Sequence, residues 1–394
     1  MSLNKIYSNL QKYCLKITPK LGRLFTSSLR SDVLSDRFFG SISYIGQILC
    51  KLLYMLISLF TIFVMLFNCD KSGTYLSLTD EYLGQAGPRD SAKIFAPGIL
   101  STDMYERDFT MTPDGKEIYY TLVLGNNSYS AIVVTRLTDK LWTKPAIADF
   151  SKNPKYKDLE PHISPDGEKF YFVSNRPSGD KQDTKENWDI WVMDKTEKGW
   201  SDPYNLGPPV NSQAREFFPS VTRQGSIYFT REGPEVNNGI FRAELKDGEY
   251  AAPERLPAQV NAGKARYNAY IAPDESYIII PIYGLPDSYG GTDYYISFHN
   301  NSEKWSEPIN MGNQINSSAG GEWSASLSSD EKYIFFMSDR ESGTDNFVSK
   351  PLTIQRMEKR HHSPYNGNPN IYWIKATIID SLSKYANLKQ YYSN

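Results

Sequence analysis

A nine-residue pattern recurs along the chain and constrains the fold more than any other feature of the sequence. The copies TPDGKEIYY, SPDGEKFYF, APDESYIII and SSDEKYIFF begin at residues 112, 164, 272 and 328, and a copy one residue shorter, TRQGSIYF, begins at 222. Anchored on the aspartate or its replacement, the copies lie 50 to 58 residues apart. This period matches one four-stranded blade of a β-propeller with its loops.

A second pattern keeps the same phase as the first. It reads WTKPAIADFSKN, WSDPYNLGPPVN, YAAPERLPAQVN and WSEPINMGNQIN, starting at residues 142, 200, 250 and 305. Between the two patterns lie the short apolar runs SAIVVT, DIWVMD, GIFRAE and DYYISF. Each repeat therefore predicts four strands, the first two joined by a tight turn in which Asp-Gly supplies the positive φ. We interpret Trp142, Trp200 and Trp305 as blade packing, and Asp166 and Asp330 as turn formers.

The SPDGxxxxF unit followed by DIWxxD resembles the repeats of TolB-type, WD-repeat-like propellers, over roughly residues 90–376. The resemblance implies an all-β fold and a docking role, because TolB-like proteins act as docking platforms. We predict five blades, with six as the alternative. The fifth repeat has no Trp-x-x-Pro segment of its own, but IFAPGIL at 94–100 lies upstream of the first repeat. This N-terminal strand is expected to complete the last blade and close the ring.

An apolar run without charges, LLYMLISLFTIFVMLF, occupies residues 52–67 directly after Lys51. A basic flank before such a run is typical of a secretory signal, and the run is shorter than the about 20 residues of a full membrane span. Cys69, at the end of the run, resembles a bacterial lipoprotein cleavage site, in which the cysteine is lipidated and starts the mature chain. The alternative is an uncleaved anchor helix formed from residues 44–67. Both place the propeller outside the cytoplasm.

The predicted organisation follows from these segments. It consists of an extension to which no role is assigned (1–43), a signal or anchor segment (44–69), a flexible spacer (70–90), the propeller (91–376) and a tail with a short helix (377–394). Residues 341–369 are predicted to be an insertion before the strand at 370–375. We expect a monomer in the cell envelope, either in the periplasm or on the outer surface, held to the membrane by lipid or by an anchor helix.

Composition excludes several classes of function. The 43 basic and 45 acidic side chains nearly cancel, so no nucleic-acid partner is expected. The cysteines are Cys14, Cys50 and Cys69, which leaves the propeller without disulfides or cysteine metal sites. A phosphate-binding loop and a Gly-x-Ser-x-Gly elbow are both missing from the sequence. We therefore predict neither a cofactor nor a metal. We interpret His162 as a core histidine, and His361 and His362 as solvated.

The candidate site is the mouth of the central channel, where the segments before the innermost strands converge. Those segments are YERD (105–108), LEP (159–161), REFFP (215–219), RYN (266–268) and GEW (321–323). They supply the predicted ligand-binding residues Arg107, Asp108, Glu160, Arg215, Glu216, Arg266 and Glu322, with Glu106, Tyr105 and Tyr267 beside them.

Two interpretations of these charges remain open. Opposite charges can pair to hold the blades together, in which case the propeller binds a protein or glycan partner or is purely structural. Alternatively, paired carboxylates can cleave glycosides, in a carbohydrate-active enzyme of glycosidase or sialidase-like type. The first interpretation is favoured. The ligand itself is not identified by the sequence.

Replacing the cysteine at the predicted cleavage site tests how the protein is held. If Cys69 carries lipid, Cys69→Ser removes the anchor and releases the protein into the soluble fraction, as measured by cell fractionation. Unchanged membrane association of the variant would instead support the uncleaved anchor helix.

Overall fold

The chain forms a five-bladed β-propeller in a computed structural model that describes residues 79–178, 188–299, 304–318, 320–340 and 351–393. Every blade is an antiparallel sheet. The extension 1–43, the segment 44–69 and Cys69 lie outside the described residues. Within the described part of the chain, no helix is both long and apolar enough to cross a membrane.

The strands follow the repeats of the sequence, with the first strand belonging to the last blade. That strand is β1 (Lys93–Ile94). Blade 1 contains β2 (Tyr105–Met111), β3 (Glu117–Leu124), β4 (Tyr129–Thr138), β5 (Leu141–Trp142) and β6 (Ala146–Ile147). Blade 2 contains β7 (Asp158–Ile163), β8 (Lys169–Ser174), β9 (Asp189–Thr196), β10 (Gly199–Trp200) and β11 (Tyr204–Asn205).

The remaining three blades repeat this order. Blade 3 contains β12 (Arg215–Val221), β13 (Ile227–Glu232), β14 (Gly239–Ala243), the hairpin β15 (Leu245–Lys246) and β16 (Glu249–Tyr250), and β17 (Glu254–Arg255). Blade 4 contains β18 (Ala265–Arg266), β19 (Tyr270–Ile271), β20 (Tyr277–Tyr283), β21 (Thr292–Phe298) and β22 (Ile309–Asn310). Blade 5 contains β23 (Glu322–Leu327), β24 (Tyr333–Ser338) and β25 (Asn370–Lys375). The helices are α1 (Ile354–His361) and α2 (Thr377–Ser393), with 3₁₀ turns at Glu81–Gly84 and Asp149–Ser151.

The recurring Asp-Gly pattern forms the turn between the first two strands of a blade. In blade 2, Asp166 Oδ1 accepts hydrogen bonds from Ser164 Oγ at 2.5 Å and from the Glu168 N–H at 3.0 Å. Gly167 follows with a φ of 77°, which a side chain would disfavour. The aspartate is therefore a turn former, as predicted. Asp330 has the equivalent role in blade 5, where it accepts from Ser328 Oγ at 2.7 Å.

The ring closes through the N-terminal strand, which confirms the prediction made from IFAPGIL. Strand β1 pairs antiparallel with β25, with Ile94 opposite Tyr372. The next side chain, Phe95, is fully buried, and its ring centroid lies 4.9 Å from that of Phe335 and 5.1 Å from that of Trp373. Since β25 belongs to the last repeat, this packing joins the two ends of the ring.

The structure differs from the flexible spacer predicted over residues 70–90, because residues 79–90 pack against blades 5 and 1. Leu83 is fully buried. The Tyr82 hydroxyl donates to Asp330 Oδ1 at 2.6 Å, and Trp142 Nε1 donates to the carbonyl of Asp80 at 2.7 Å. The polar composition of this stretch predicts a flexible spacer, but one tyrosine and one leucine within it contact the propeller.

The two ends of the described chain lie on one face of the propeller. We call the face where the innermost strands begin the mouth face, and the opposite face the base face. Asp330, which binds Tyr82, lies in the turn between β23 and β24 on the base face. Helix α2 follows the end of β25 on the same face, where Ile379 is buried, and it lies where the sequence predicts a terminal helix. The mouth face therefore contains the loops that join the strands there, α1 and the channel opening.

Truncating the side chain at the closure tests the contribution of this packing. Phe95→Ala should lower the free energy of unfolding by about 3–5 kcal/mol, because it leaves a cavity among aromatic rings. The measurement is chemical denaturation of the wild type and the variant. The control is Leu141→Ala, at a side chain that is 58% exposed, where a change within about 0.5 kcal/mol is expected. Equal losses in the two variants would contradict the closure.

Candidate functional site

Each innermost strand contains one extra residue relative to its neighbour at the channel mouth. In blade 1, Arg107 lies opposite Thr121 but Thr110 lies opposite Tyr119, so the inner strand gains a residue. The same gain occurs in the other four blades. At these β-bulges one residue per blade adopts a left-handed conformation: Asp108, Glu160, Phe218, Asn268 and Ser324, with φ between 49° and 58°.

The bulges are held by hydrogen bonds from one blade to the preceding one. The Glu160 N–H donates to Thr121 Oγ1 at 3.0 Å, and the Asn268 N–H donates to Thr230 Oγ1 at 2.9 Å. The Phe218 N–H donates to Glu160 Oε2 at 2.7 Å. A left-handed residue other than glycine costs on the order of 1–3 kcal/mol, and such residues concentrate at functional sites. All five blades contain such a residue at the same height of the channel.

A bulge re-aims the side chain that precedes it, and here it directs one side chain per blade toward the channel. We call these five half-buried residues the collar: Arg107, Leu159, Phe217, Tyr267 and Trp323. Four collar members, all except Leu159, line a pocket of about 300 Å³ at the channel mouth. The collar is thus mainly aromatic, with a single charged member.

The walls and floor of this pocket are fixed by polar contacts. Trp323 Nε1 donates to the Tyr267 hydroxyl at 2.8 Å, and that hydroxyl lies 3.0 Å from Thr292 Oγ1. Asn268 on the floor donates through Nδ2 to Glu160 Oε1 at 3.2 Å. Two aromatic rings are therefore set in one orientation beside a planar amide. The lining also includes Tyr105, Thr230, Glu232, Asn238, Gly239, Arg266 and Met337.

The acids at the pocket floor are bound by the one cationic collar residue. Arg107 Nε lies 2.7 Å from Asp108 Oδ2, and Arg107 Nη2 lies 2.9 Å from Glu160 Oε1. Burial raises the pKa of Glu160 above its ordinary value, and the charge of Arg107 offsets part of that rise. Both oxygens of Glu160 accept hydrogen bonds, from Arg107 and Asn268 on one side and from the Phe218 N–H on the other. Arg107 and Glu160 are therefore held together in the wall of the channel.

In three blades, the acid two positions before the left-handed residue of the bulge forms a buried ion pair. We call these pairs the clamps: Asp158 with Arg176, Glu216 with Arg231, and Glu322 with Arg340, at 2.7, 2.8 and 2.8 Å. Each clamp arginine also donates to a carbonyl in the segment arriving from the preceding blade, namely those of Phe150, Val210 and Ile315. The carboxylates of the clamps are at most 1% exposed. The clamps therefore tie the blades together, and none of their arginines was among the predicted site residues.

Blades 1 and 4 depart from the clamp pattern. In blade 1, Glu106 accepts a hydrogen bond of 2.5 Å from Thr102 Oγ1, and its Oε2 is buried without a partner among the described residues. Burial raises the pKa of Glu106 to about 7. In blade 4 the equivalent position is occupied by Arg266, which faces the pocket instead. Among the described residues, these are the two clamp positions at which no ion pair forms.

The predicted site residues thus separate into three groups. Arg107, Glu160 and Arg266 line the pocket, and Asp108 lies buried beside them. Glu216 and Glu322 belong to clamps. Arg215 is exposed at the start of β12 and is not among the described residues that line the pocket. Sequence reasoning did not single out Phe217, Trp323, Asn238 or Asn268, although three of them lie in the segments that it quoted.

The histidines of the described chain contribute no catalytic arrangement at the pocket. His162 Nε2 accepts a hydrogen bond of 3.0 Å from the Val221 N–H, and burial lowers the pKa of His162 to about 4. It therefore links two blades as a neutral side chain, as predicted. His362 is exposed and lies 3.1 Å from Asp103. Among the residues that the structure describes, no group of three or more histidines, aspartates and glutamates could hold a metal ion.

A larger groove, of about 720 Å³, lies on the base face between blades 2 and 3. Two pairs of its polar groups contact each other. Lys169 Nζ lies 2.5 Å from Asp194 Oδ1, and the hydroxyls of Tyr171 and Tyr250 are 3.4 Å apart. The pocket at the mouth differs because four of its lining side chains come from equivalent bulge positions of four blades and converge on the channel. It is therefore the stronger candidate site.

The unpaired buried acid of blade 1 makes stability depend on pH. Since the folded pKa of Glu106 is about 7 and its ordinary value is 4.5, its neutral form favours the fold below about pH 4.5. That contribution is lost as pH rises through 7, by on the order of 3 kcal/mol. Glu106→Gln should therefore lie within about 1 kcal/mol of the wild type near pH 5 and exceed its free energy of unfolding by more at pH 8, as measured by urea denaturation.

The control for this experiment is Glu249→Gln, at an exposed carboxylate of blade 3. It should leave stability unchanged at both pH values. An equal effect of Glu106→Gln at pH 5 and pH 8 would contradict the account of this residue.

No family model matches the chain, and no curated protein sequence matches it. Similar solved structures include a TolB-type protein from Agrobacterium tumefaciens, at 13% identity and a TM-score of 0.39, covering 69% of this chain and 90% of that one. An arabinanase from Bacillus subtilis has 14% identity and a TM-score of 0.44, covering 70% and 95%. The catalytic domain of an α-L-arabinofuranosidase from Coprinopsis cinerea has 10% identity and a TM-score of 0.39, covering 69% and 90%. The activities in these names belong to those proteins, and the five-bladed propeller described here is established by its own strand pairing.

Proposed function

We propose that the protein is a binding module that holds one sugar unit of a glycan in the pocket at the channel mouth. The observation that carries this proposal is the collar, which presents Phe217, Tyr267 and Trp323 around a pocket of about 300 Å³. Sites for small molecules are concave, are lined by aromatic side chains and contain a few fixed polar groups. The volume of this pocket lies at the lower end of the range of about 300–1,000 Å³ that is typical of such sites.

The pattern of groups in the pocket suits a sugar ring. One face of a sugar ring is lined by C–H groups, which pack against aromatic rings, while its hydroxyls need donors and acceptors at the edge. Trp323 and Tyr267 are held together by a hydrogen bond of 2.8 Å, so their rings are already ordered before a ligand arrives. The side chains of Asn238 and Asn268 supply amide groups at the edge. Such preorganisation reduces the entropy that binding must overcome.

The arrangement of the carboxylates favours binding over cleavage. Glycoside hydrolysis uses two carboxyl groups on opposite sides of the scissile bond, about 5–9.5 Å apart and free to exchange protons. Here Asp108 and Glu160 both bind Arg107, and Glu160 has donors on both of its oxygens. Glu216 and Glu322 are buried in clamps, while Glu232 is exposed at the pocket rim. Glu160 therefore has no oxygen free of donors, and Glu232 is the acid of the lining that a ligand would meet without displacing an ion pair.

One observation favours a second candidate function, a carbohydrate-active enzyme. Glu160 lines the pocket, and burial raises its pKa, as is usual for a general acid. In that case Arg107 would have to release Glu160 when the substrate binds. The two candidates differ in whether a bound glycan is converted.

The cellular setting is part of the proposal. The TolB-type repeats in the sequence support a docking role in a bacterial envelope, with a polysaccharide or an envelope protein as partner. The described chain enters on the base face at Thr79 and reaches Tyr82 beneath blade 5.

Glycan binding by the full-length protein tests the proposal. We expect saturable binding to a subset of a broad glycan array, and Trp323→Ala should weaken it at least about tenfold because one wall of the pocket is lost. The matched control is Tyr289→Ala, which removes an aromatic ring that is 49% exposed on the mouth face but does not line the described pocket. A blank array, or equal binding by Trp323→Ala and the wild type, would contradict a glycan site at the collar.

The enzyme candidate is tested on the same ligands. Each glycan that binds is incubated with the protein, and the products are separated by chromatography. Unchanged glycan supports the binding module. Product formed by the wild type but not by Glu160→Gln would establish the enzyme.

A further inference from the structure

Blade 4 replaces the acid of the clamp position with an arginine. The equivalent residues in the other blades are Glu106, Asp158, Glu216 and Glu322, each two positions before the left-handed residue of its bulge. In blade 4 that position is Arg266, two positions before Asn268. Because the bulge is conserved in geometry across the five blades, the substitution places a positive charge where the repeat elsewhere places a negative one.

Arg266 has no counter-charge among the described residues. Its guanidinium forms no ion pair there, and its hydrogen bonds are long, 3.4 Å from Nε to Asn261 Oδ1 and 3.5 Å from Nη1 to the Lys264 carbonyl. These acceptors are neutral. The side chain lines the pocket and is half-buried. An arginine in this setting retains the capacity to bind a planar anion with two parallel hydrogen bonds.

A second arginine strengthens the positive field at this wall. Burial lowers the pKa of Arg266, and the charge of nearby Arg255 lowers it further. Arg255 itself donates to the backbone carbonyls of Asn237 and Asn238, at 3.1 and 3.2 Å, and forms no ion pair with a described residue. Two like charges held together without an acid are stabilised by a bound anion.

The other charges around the pocket orient such an anion. Arg107 is already paired with Asp108 and Glu160, so it offers little attraction to a ligand. Glu160 on the floor and Glu232 at the rim line the pocket as well, and they would repel an anion placed near them. The favourable position for an acidic group is therefore beside Arg266, with the rest of the ligand extending toward Tyr267 and Trp323.

We infer that the sugar bound in the pocket is a uronic acid unit, whose carboxylate is held by Arg266 while its ring packs on Trp323 and Tyr267. This inference rests on the proposed function and names its ligand class. A carboxylate could also be supplied by the C-terminus of a peptide. The pocket favours the sugar, because the ordered rings of the collar and the amides of Asn238 and Asn268 match a flat face with several hydroxyls.

Binding of a uronate and its neutral ester tests the inference. The probes are oligogalacturonate, oligoglucuronate and oligomannuronate, each compared with its own methyl ester, with the full-length protein in an isothermal titration at low salt. At least one acid should bind about tenfold or more tightly than its ester. Arg266→Gln should abolish the difference in affinity between acid and ester, and Arg266→Lys should restore part of it.

A matched control separates a specific site from general attraction. Arg215→Gln removes an exposed arginine that begins an innermost strand but does not line the described pocket, and it should preserve the preference for the acid. Equal binding of acid and ester, a preference retained by Arg266→Gln, or binding of none of the uronates would overturn the inference. Binding of a peptide with a free C-terminus, but not of its amide or of the uronates, would overturn it in favour of a protein partner.

The two proposals fail separately. Binding of neutral glycans that is lost in Trp323→Ala would support the binding module and contradict only the inference of a uronic acid ligand. Uronate binding that is insensitive to Trp323→Ala but lost in Arg266→Gln would remove the collar from the site and contradict both.

Discussion

The β-bulge in every innermost strand is the constraint on which the channel mouth depends. One extra residue per blade forces a left-handed conformation at Asp108, Glu160, Phe218, Asn268 and Ser324. The bulge turns the preceding side chain toward the channel, which creates the collar, and it exposes a backbone N–H that the preceding blade must bind. Without the bulges the strands would continue their regular alternation, and the aromatic rings of the collar would not converge on one pocket.

The buried ion pairs explain why a channel rich in acids is more consistent with binding than with catalysis. In each clamp an arginine in or just after the second strand binds a carboxylate at the channel and donates to a carbonyl in the segment arriving from the preceding blade. Removing one partner would leave a buried charge without compensation, which typically costs about 3–5 kcal/mol. The carboxylates of the clamps are therefore committed to holding the blades in place. Charge that can meet a ligand remains at Glu232 on the pocket rim and at Arg266, where blade 4 departs from the pattern.

Local patterns in the sequence predicted the fold, but only part of the site. The Asp-Gly turns and the closure through residues 94–100 follow from short motifs, and the structure has both. Arg107, Glu160 and Arg266 line the pocket at the mouth, and they lie in the first residues of innermost strands rather than in segments before them. Phe217 and Trp323 were missed because a shift of one residue decides which face a strand side chain occupies, and no motif marks the bulge. The clamp arginines were missed because they lie in or just after the second strand of the blade, 15 to 18 residues along the chain from the acids that they bind.

The most direct test of this account is a crystal structure of the protein with a bound acidic oligosaccharide. We predict that one sugar ring lies against Trp323 and Tyr267, that its carboxylate contacts Arg266, and that Arg107 keeps both of its ion pairs, now 2.7 and 2.9 Å long. A ligand located away from the collar would contradict the account. So would a ligand whose glycosidic oxygen has displaced Arg107 from Glu160, because the pocket would then be arranged for cleavage.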